Sequence, residues 1–149
     1  GGMGAAPLNE PEANGSMFDH SDIEIFSPDY LFAGPRPQIL SLTGGGSSIT
    51  MGTPFEITVA LPGSATPAAN IVSVSLVSCG AVTHQFDWDQ RFLDLYFTTS
   101  PASPNKKLVI HPPASGGFVA QPGWYMLFIN SSDPTVGKIP SIAMFVKLS

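Results

Sequence analysis

Glycine and proline punctuate this chain too often for a long helix to form between them. Fifteen of each occur in 149 residues. Proline breaks a helix interior, and glycine weakens both helix and strand. The segments between them alternate apolar and polar residues with the period of two that belongs to a half-buried strand. In "DIEIFSP", Ile23 and Ile25 alternate with Asp22 and Glu24. "PQILSLT" follows, then "SSITMGTPFEITVAL", interrupted at Gly52-Thr53-Pro54 as by a hairpin or bend. "NIVSVSLVSCG" places Ile71 or Val72, Val74 and Leu76 on one face and Ser73 and Ser75 on the other. "RFLDLYFTTS", "KKLVIHPP", "GWYMLFINSS" and "IPSIAMFVKLS" complete the set. No window carries an amphipathic helix of three turns. About seven to nine short strands with Gly/Pro turns predict an all-β, antiparallel sandwich of immunoglobulin type. "GWYMLFI" reads as a central strand buried on both sides. Residues 1–19 lack hydrophobic periodicity and read as a leader or linker, leaving 20–149 as the domain.

Charge narrows the function. Six Lys and Arg against eleven Asp and Glu give a net charge of -5, and Lys106-Lys107 is the one adjacent basic pair. Nucleic-acid binding, which rests on basic patches, is excluded. No apolar run approaches the ~20 residues that span a bilayer. Gly1 to Asn14 lacks the basic start and apolar stretch of a signal peptide, as any mature or excised chain would. One cysteine, Cys79, excludes an internal disulfide and a thiolate zinc cluster. Asn14-Gly15-Ser16 and Asn130-Ser131-Ser132 match the glycosylation triplet.

The reactive side chains crowd into "CGAVTHQFDWDQRF", Cys79 to Phe92. No Gly-x-Ser-x-Gly elbow accompanies them, and "GGGSS" at 44–48 lacks the Lys and the helix of a phosphate loop, so it reads as a turn. Asp87 with Asp89, or Asp22 with Glu24, would share a face at i, i+2 in a strand. Exposed acids on a solvated face are the common explanation of such pairs, and acid–base chemistry the rarer one. His20, His84 and His111 show no ligand spacing, and a transition metal wants three or four donors. Taken singly, each reads as a hydrogen-bonded or exposed side chain.

Five blocks in order carry a resemblance: "HSDIEIFSPDYLF" at 20–32, "RPQI" at 36–39, "VTHQFDWDQR" at 82–91, "QPGWYMLFI" at 121–129 and "IPSIA" at 139–143. Together they resemble the C-terminal domain of the galactose oxidase and glyoxal oxidase family of copper radical oxidases. The resemblance implies an immunoglobulin-like (E-set) sandwich packed on a seven-bladed kelch-type propeller that precedes it. It also implies oxidation of primary alcohols or aldehydes with O2 reduced to H2O2, and a secreted or cell-surface parent. The family's loop motif, Thr-His and then Asp-Gln-Arg, falls here on Thr83, His84, Asp89, Gln90 and Arg91. It implies that His84 ligates copper and that Thr83, Asp89, Gln90 and Arg91 support the loop. Trp88 stands where the family offers no fixed residue, so it either lines a substrate funnel or caps the sandwich. His20 falls on a family histidine and carries no ligand role.

Cys79 precedes the loop and is not the family's thioether cysteine; it reads as a small half-buried side chain. The propeller's tyrosines and first histidine do not occur here, so the chain reads as an excised or proteolytic piece starting where the propeller ends. With one ligand it is expected to be inactive alone and to hold no copper tightly. Two other readings stand beside this one. One is a non-catalytic module of a kelch-like surface or adhesion protein. The other is a carbohydrate-binding sandwich stacking sugars on Trp88, Trp124 or Tyr125, although the last two lie in an expected core strand. The face that meets a propeller should be unusually apolar.

Overall fold

The computed structural model describes residues 25–114 and 119–149. Among them are eleven strands and two short 3-10 turns, Asp29–Leu31 and Pro67–Asn70. The strands are β1 (Gln38–Leu42), β2 (Ser48–Ile49), β3 (Phe55–Ala60), β4 (Ile71–Ser78), β5 (Ala81–Thr83), β6 (Phe86–Trp88), β7 (Phe92–Thr99), β8 (Lys107–His111), β9 (Gly123–Asp133), β10 (Gly137–Pro140) and β11 (Met144–Leu148). The all-β expectation holds. The described part of "DIEIFSP" is not a strand: Ile25 and Phe26 are exposed and outside any ladder, while Ile23 lies outside the described residues.

Hydrogen bonding runs in the order β1-β3-β8-β7-β4-β9-β11-β2, with β10 on β9 and β5-β6 as a separate hairpin. The path folds into two layers at β7. Phe92 to Leu95 of β7 pair with β4, and Tyr96 to Thr99 pair with β8. One strand thus serves both layers, as at the corners of packed sheets. Of the hairpin or bend expected at Gly52-Thr53-Pro54, the structure has a bend, by which the chain crosses between layers. β2 before it lies parallel to β11, and β3 after it joins β1 and β8. Gly52 makes that crossing with φ 68°.

Both layers bury their inner faces in one core. Ile57, Leu108 and Ile110 come from one layer and Leu76, Leu127, Ile129 and Val146 from the other, all fully buried. Each such side chain contributes about 1.5–3 kcal/mol by leaving water. A bulge where β4 meets β9 settles the Ile71/Val72 ambiguity: Ile71 enters the core and Val72 faces solvent. Tyr125, buried at the start of β9, donates its hydroxyl to the Gln121 carbonyl at 2.8 Å. This backward bond resembles the tyrosine corner of immunoglobulin-like sandwiches.

The expectation of a central strand buried on both sides is half right. β9 is central, between β4 and β11, but only Tyr125, Leu127 and Ile129 face the core. Trp124 is half exposed on the outer face, which no second layer covers among the described residues.

Candidate functional site

The segment from Cys79 to Phe92 forms a projecting hairpin between two core strands. β4 ends at Ser78 and β7 begins at Phe92; between them β5 and β6 pair Ala81 with Trp88, Val82 with Asp87 and Thr83 with Phe86. All six of these residues are exposed, so this ribbon leaves the sandwich. Its two-residue turn is His84-Gln85, with φ of 52° and 68°. Positive φ at both central residues is the type I′ turn, whose twist suits a two-residue hairpin. Asn-Gly ordinarily fills such a turn, because a side chain in the left-handed region costs about 1–2 kcal/mol. Asp89 takes a third left-handed value, 61°. Among the described residues, the three non-glycine positive-φ positions all fall in this hairpin. Backbone strain of this kind clusters at functional sites.

The turn presents His84 at the tip, exposed. Its Nδ1 lies 2.8 Å from Thr83 Oγ1, which leaves Nε2 pointing away from the Thr83 contact. Hydrogen bonds brace the base. Ser78 donates its N–H to the Arg91 carbonyl at 2.8 Å and its hydroxyl to Asp89 Oδ2 at 3.4 Å. Gln90 Nε2 donates to Asp87 Oδ2 at 3.1 Å, and Arg91 donates to the Val119 carbonyl at 3.1 Å. Half-buried Cys79 donates its N–H to the Trp124 carbonyl at 3.2 Å, tying the base to β9. Gly80 is required by closeness, since a Cβ there would overlap the Asp87 carboxylate and sit 3.1 Å from the Trp88 carbonyl.

Strand alternation gives the hairpin two faces. Phe86 and Trp88 share one, their rings tilted by 51° with centroids 5.9 Å apart. Trp88 is not part of the buried core and is largely exposed. Val82 and Asp87 share the other, and with Val77, Phe92 and Met126 they line a cleft of about 620 Å³.

Other sequence candidates fall elsewhere. His111 ends β8, its ring 5.1 Å from that of Tyr96. His20, Asp22, Glu24 and Asn14 lie outside the described residues. Asp87 and Asp89 are not paired carboxylates, because β6 ends at Trp88 and each carboxylate accepts from a different donor. Asn130 lies inside β9 and donates from Nδ2 to Ser73 Oγ at 3.0 Å. "GGGSS" is the expected turn, with Gly44, Gly45 and Gly46 at φ of 94°, 74° and 75°. Sequence reasoning missed Gln85, whose left-handed backbone completes the turn; two strand-like triplets two residues apart were the available signal.

No group of three or more His, Cys, Asp or Glu side chains converges among the described residues. The tip presents one exposed imidazole, that of His84. The profile of the family "Galactose oxidase-like, Early set domain" matches residues 36–148. The chain belongs to that family. An aldehyde oxidase GLOX of Vitis pseudoreticulata is 30% identical over 129 residues, covering 85% of this chain and 23% of the relative. A galactose oxidase of Gibberella zeae (strain PH-1) is 30% identical over 136 residues, covering 88% of this chain and 17% of the relative. A second Gibberella zeae galactose oxidase is 29% identical over the same length. This early-set domain therefore spans about a fifth of the relatives it matches. Two family blocks meet in the structure: Arg36 of "RPQI" donates to the carbonyls of Pro140 and Ser141 of "IPSIA", each at 2.8 Å.

Proposed function

We propose that this domain contributes one copper ligand, His84, to an oxidase site completed by a kelch-type propeller in a longer, extracellular parent protein. The observation that carries the reading is the hairpin, which holds one exposed histidine at a strained turn away from the sandwich. Nδ1 is engaged by Thr83, so Nε2 is the nitrogen for the metal, with Thr83 as the positioning residue. A ligating histidine characteristically uses its second nitrogen in this way. Copper(II) takes imidazole in a tetragonal set of several donors, so one imidazole fits as a contributed ligand and not as a complete site. When bound, copper supplies the redox chemistry by which a primary alcohol or aldehyde gives up two electrons and O2 becomes H2O2. The chain's own residues hold the tip: Asp89, Gln90 and Arg91 brace its base, and Trp88 with Phe86 forms an aromatic pair on one face of the hairpin.

Copper stoichiometry tests this. His84→Ala in the parent is expected to lose most of its copper and its oxidase activity, while the same change in the 149-residue chain leaves the fold unaltered. The isolated chain is expected to make no H2O2 from galactose or methylglyoxal. A His84→Ala parent that retains full copper would remove the ligand role and favour a non-catalytic module of a kelch-like surface protein.

A further inference from the structure

The two outer faces of the sandwich differ in chemistry. On the β3-β8-β7 layer the outward positions include Glu56, Thr58, Thr98 and Lys107, with the Glu56–Lys107 ion pair at 3.4 Å. That face also carries exposed Tyr96, but an ion pair and hydroxyls stand across its middle. On the β7-β4-β9-β11 layer, Tyr125, Leu127 and Ile129 point inward, so Trp124, Met126 and Phe128 point outward. Register then aligns a row across four strands: Phe92 opposite Val77, Val77 opposite Met126, and Met126 opposite Phe145. Three interstrand steps make that row about 14 Å wide. Phe92 is 64% exposed, Phe145 56% and Trp124, two residues from Met126, 49%. Exposed Asp94 and Lys147 lie on the neighbouring rows. An apolar centre with a polar rim is the anatomy of a protein–protein interface, and contiguous aromatic exposure of this kind marks one.

We propose that this outer face, with Phe92, Val77, Met126, Phe145 and Trp124 at its centre, is the surface on which the rest of the parent chain docks. The inference rests on the reading that the hairpin enters a partner domain of that chain. Two observations select that occupant. The cleft of about 620 Å³ joins the face to the hairpin, through Val77, Phe92 and Met126 on one side and Val82 and Asp87 on the other. A body that receives the hairpin therefore also meets the row. The relatives are also single chains in which this domain is only 17–23% of the length, so a large partner is covalently present in them.

Hydroxyl-radical footprinting read by mass spectrometry tests the proposal without copper. In the 149-residue chain, Trp124, Met126, Phe92 and Phe145 are expected to label readily. In the parent their labelling is expected to fall severalfold, while Tyr96, 69% exposed beyond the bend of β7, labels equally in both. Phe92→Glu with Phe145→Glu should restore labelling of Trp124 and Met126 in the parent and leave the Tm of the isolated chain unchanged. Equal labelling of the row in parent and isolated chain would overturn the proposal, and so would no effect of the double variant. Protection that grows with concentration in the isolated chain would assign the face to a second copy instead. His84→Ala separates this claim from the ligand reading. The variant parent keeps the protected row whatever its copper content, whereas retained copper overturns only the ligand role.

Discussion

Ser141 is a small residue whose loss should be felt across the fold. It is fully buried between the end of β10 and the start of β11. Its Oγ accepts the Ile129 N–H at 3.2 Å, and its own N–H donates to the Ile129 carbonyl at 2.8 Å. Ser141 thus continues the pairing with β9 across the break between β10 and β11, which run along the same edge of β9, opposite β4. Ser141→Ala keeps the Cβ and the backbone bond but leaves the Ile129 N–H without its acceptor. An unsatisfied buried N–H costs about 1–3 kcal/mol. Taking about 2 kcal/mol, a chain of this size should lose about 4–8 °C in Tm. Thermal unfolding and urea titration of the 149-residue chain measure this directly, with exposed Ser132→Ala as a control expected within about 0.5 kcal/mol of the wild type. Arg36 holds the same break between β10 and β11, through the Pro140 and Ser141 carbonyls. Arg36→Ala should therefore couple to Ser141→Ala by at least about 0.5 kcal/mol in a double-mutant cycle. A Ser141→Ala loss under about 0.5 kcal/mol would show that Ile129 has another acceptor, and strict additivity would show that the two residues do not act on one break in the ladder.

Two further outcomes are expected. Gly80→Ala should displace the hairpin, because the Asp87 side chain can swing away from a new Cβ but the Trp88 carbonyl at 3.1 Å cannot. Amide exchange and chemical shifts of residues 81–88 should change while the core strands do not, and adding Asp87→Ala should relieve part of the shift; unchanged hairpin spectra contradict the packing argument. The second outcome concerns acid stability. The Ser100 hydroxyl foremost, and Lys107 after it, hold the Glu56 carboxyl below its ordinary value of 4.5 against a smaller upward push from burial. A depressed folded-state value stabilises the fold fully above the unfolded value and loses that contribution as pH falls through the folded one. Ser100→Ala should therefore lower the urea midpoint most above about pH 4.5 and converge on the wild type in more acid solution; a gap that widens as pH falls would reverse the assignment.

Alternation and turn chemistry were enough to read the all-β class and most strands, because the inner face of each strand must be apolar wherever it meets the core. Val74 and Leu76, or Leu108 and Ile110, announce themselves at a spacing of two. "GGGSS" announces a turn for the same local reason, since three successive left-handed positions admit little except glycine. The motif around His84 was also legible, as a run of residue types in order. Its geometry was not. His84 and Gln85 are poor residues for a type I′ turn, and only strand pairing on either side holds them there.

The switch of β7 between layers, the parallel pairing of β2 with β11 and the Arg36–Ser141 hydrogen bond all join residues distant in sequence. Local pattern carries no information about which strands will be neighbours. The outer face shows the limit most clearly. "GWYMLFI" reads as buried on both sides, and its apolar residues are indeed the signature of a strand that needs cover twice. Tertiary structure supplies one cover, the opposite layer, and leaves Trp124 and its row uncovered. Sequence by itself determined that both faces of this strand avoid water; the fold decided which face is core.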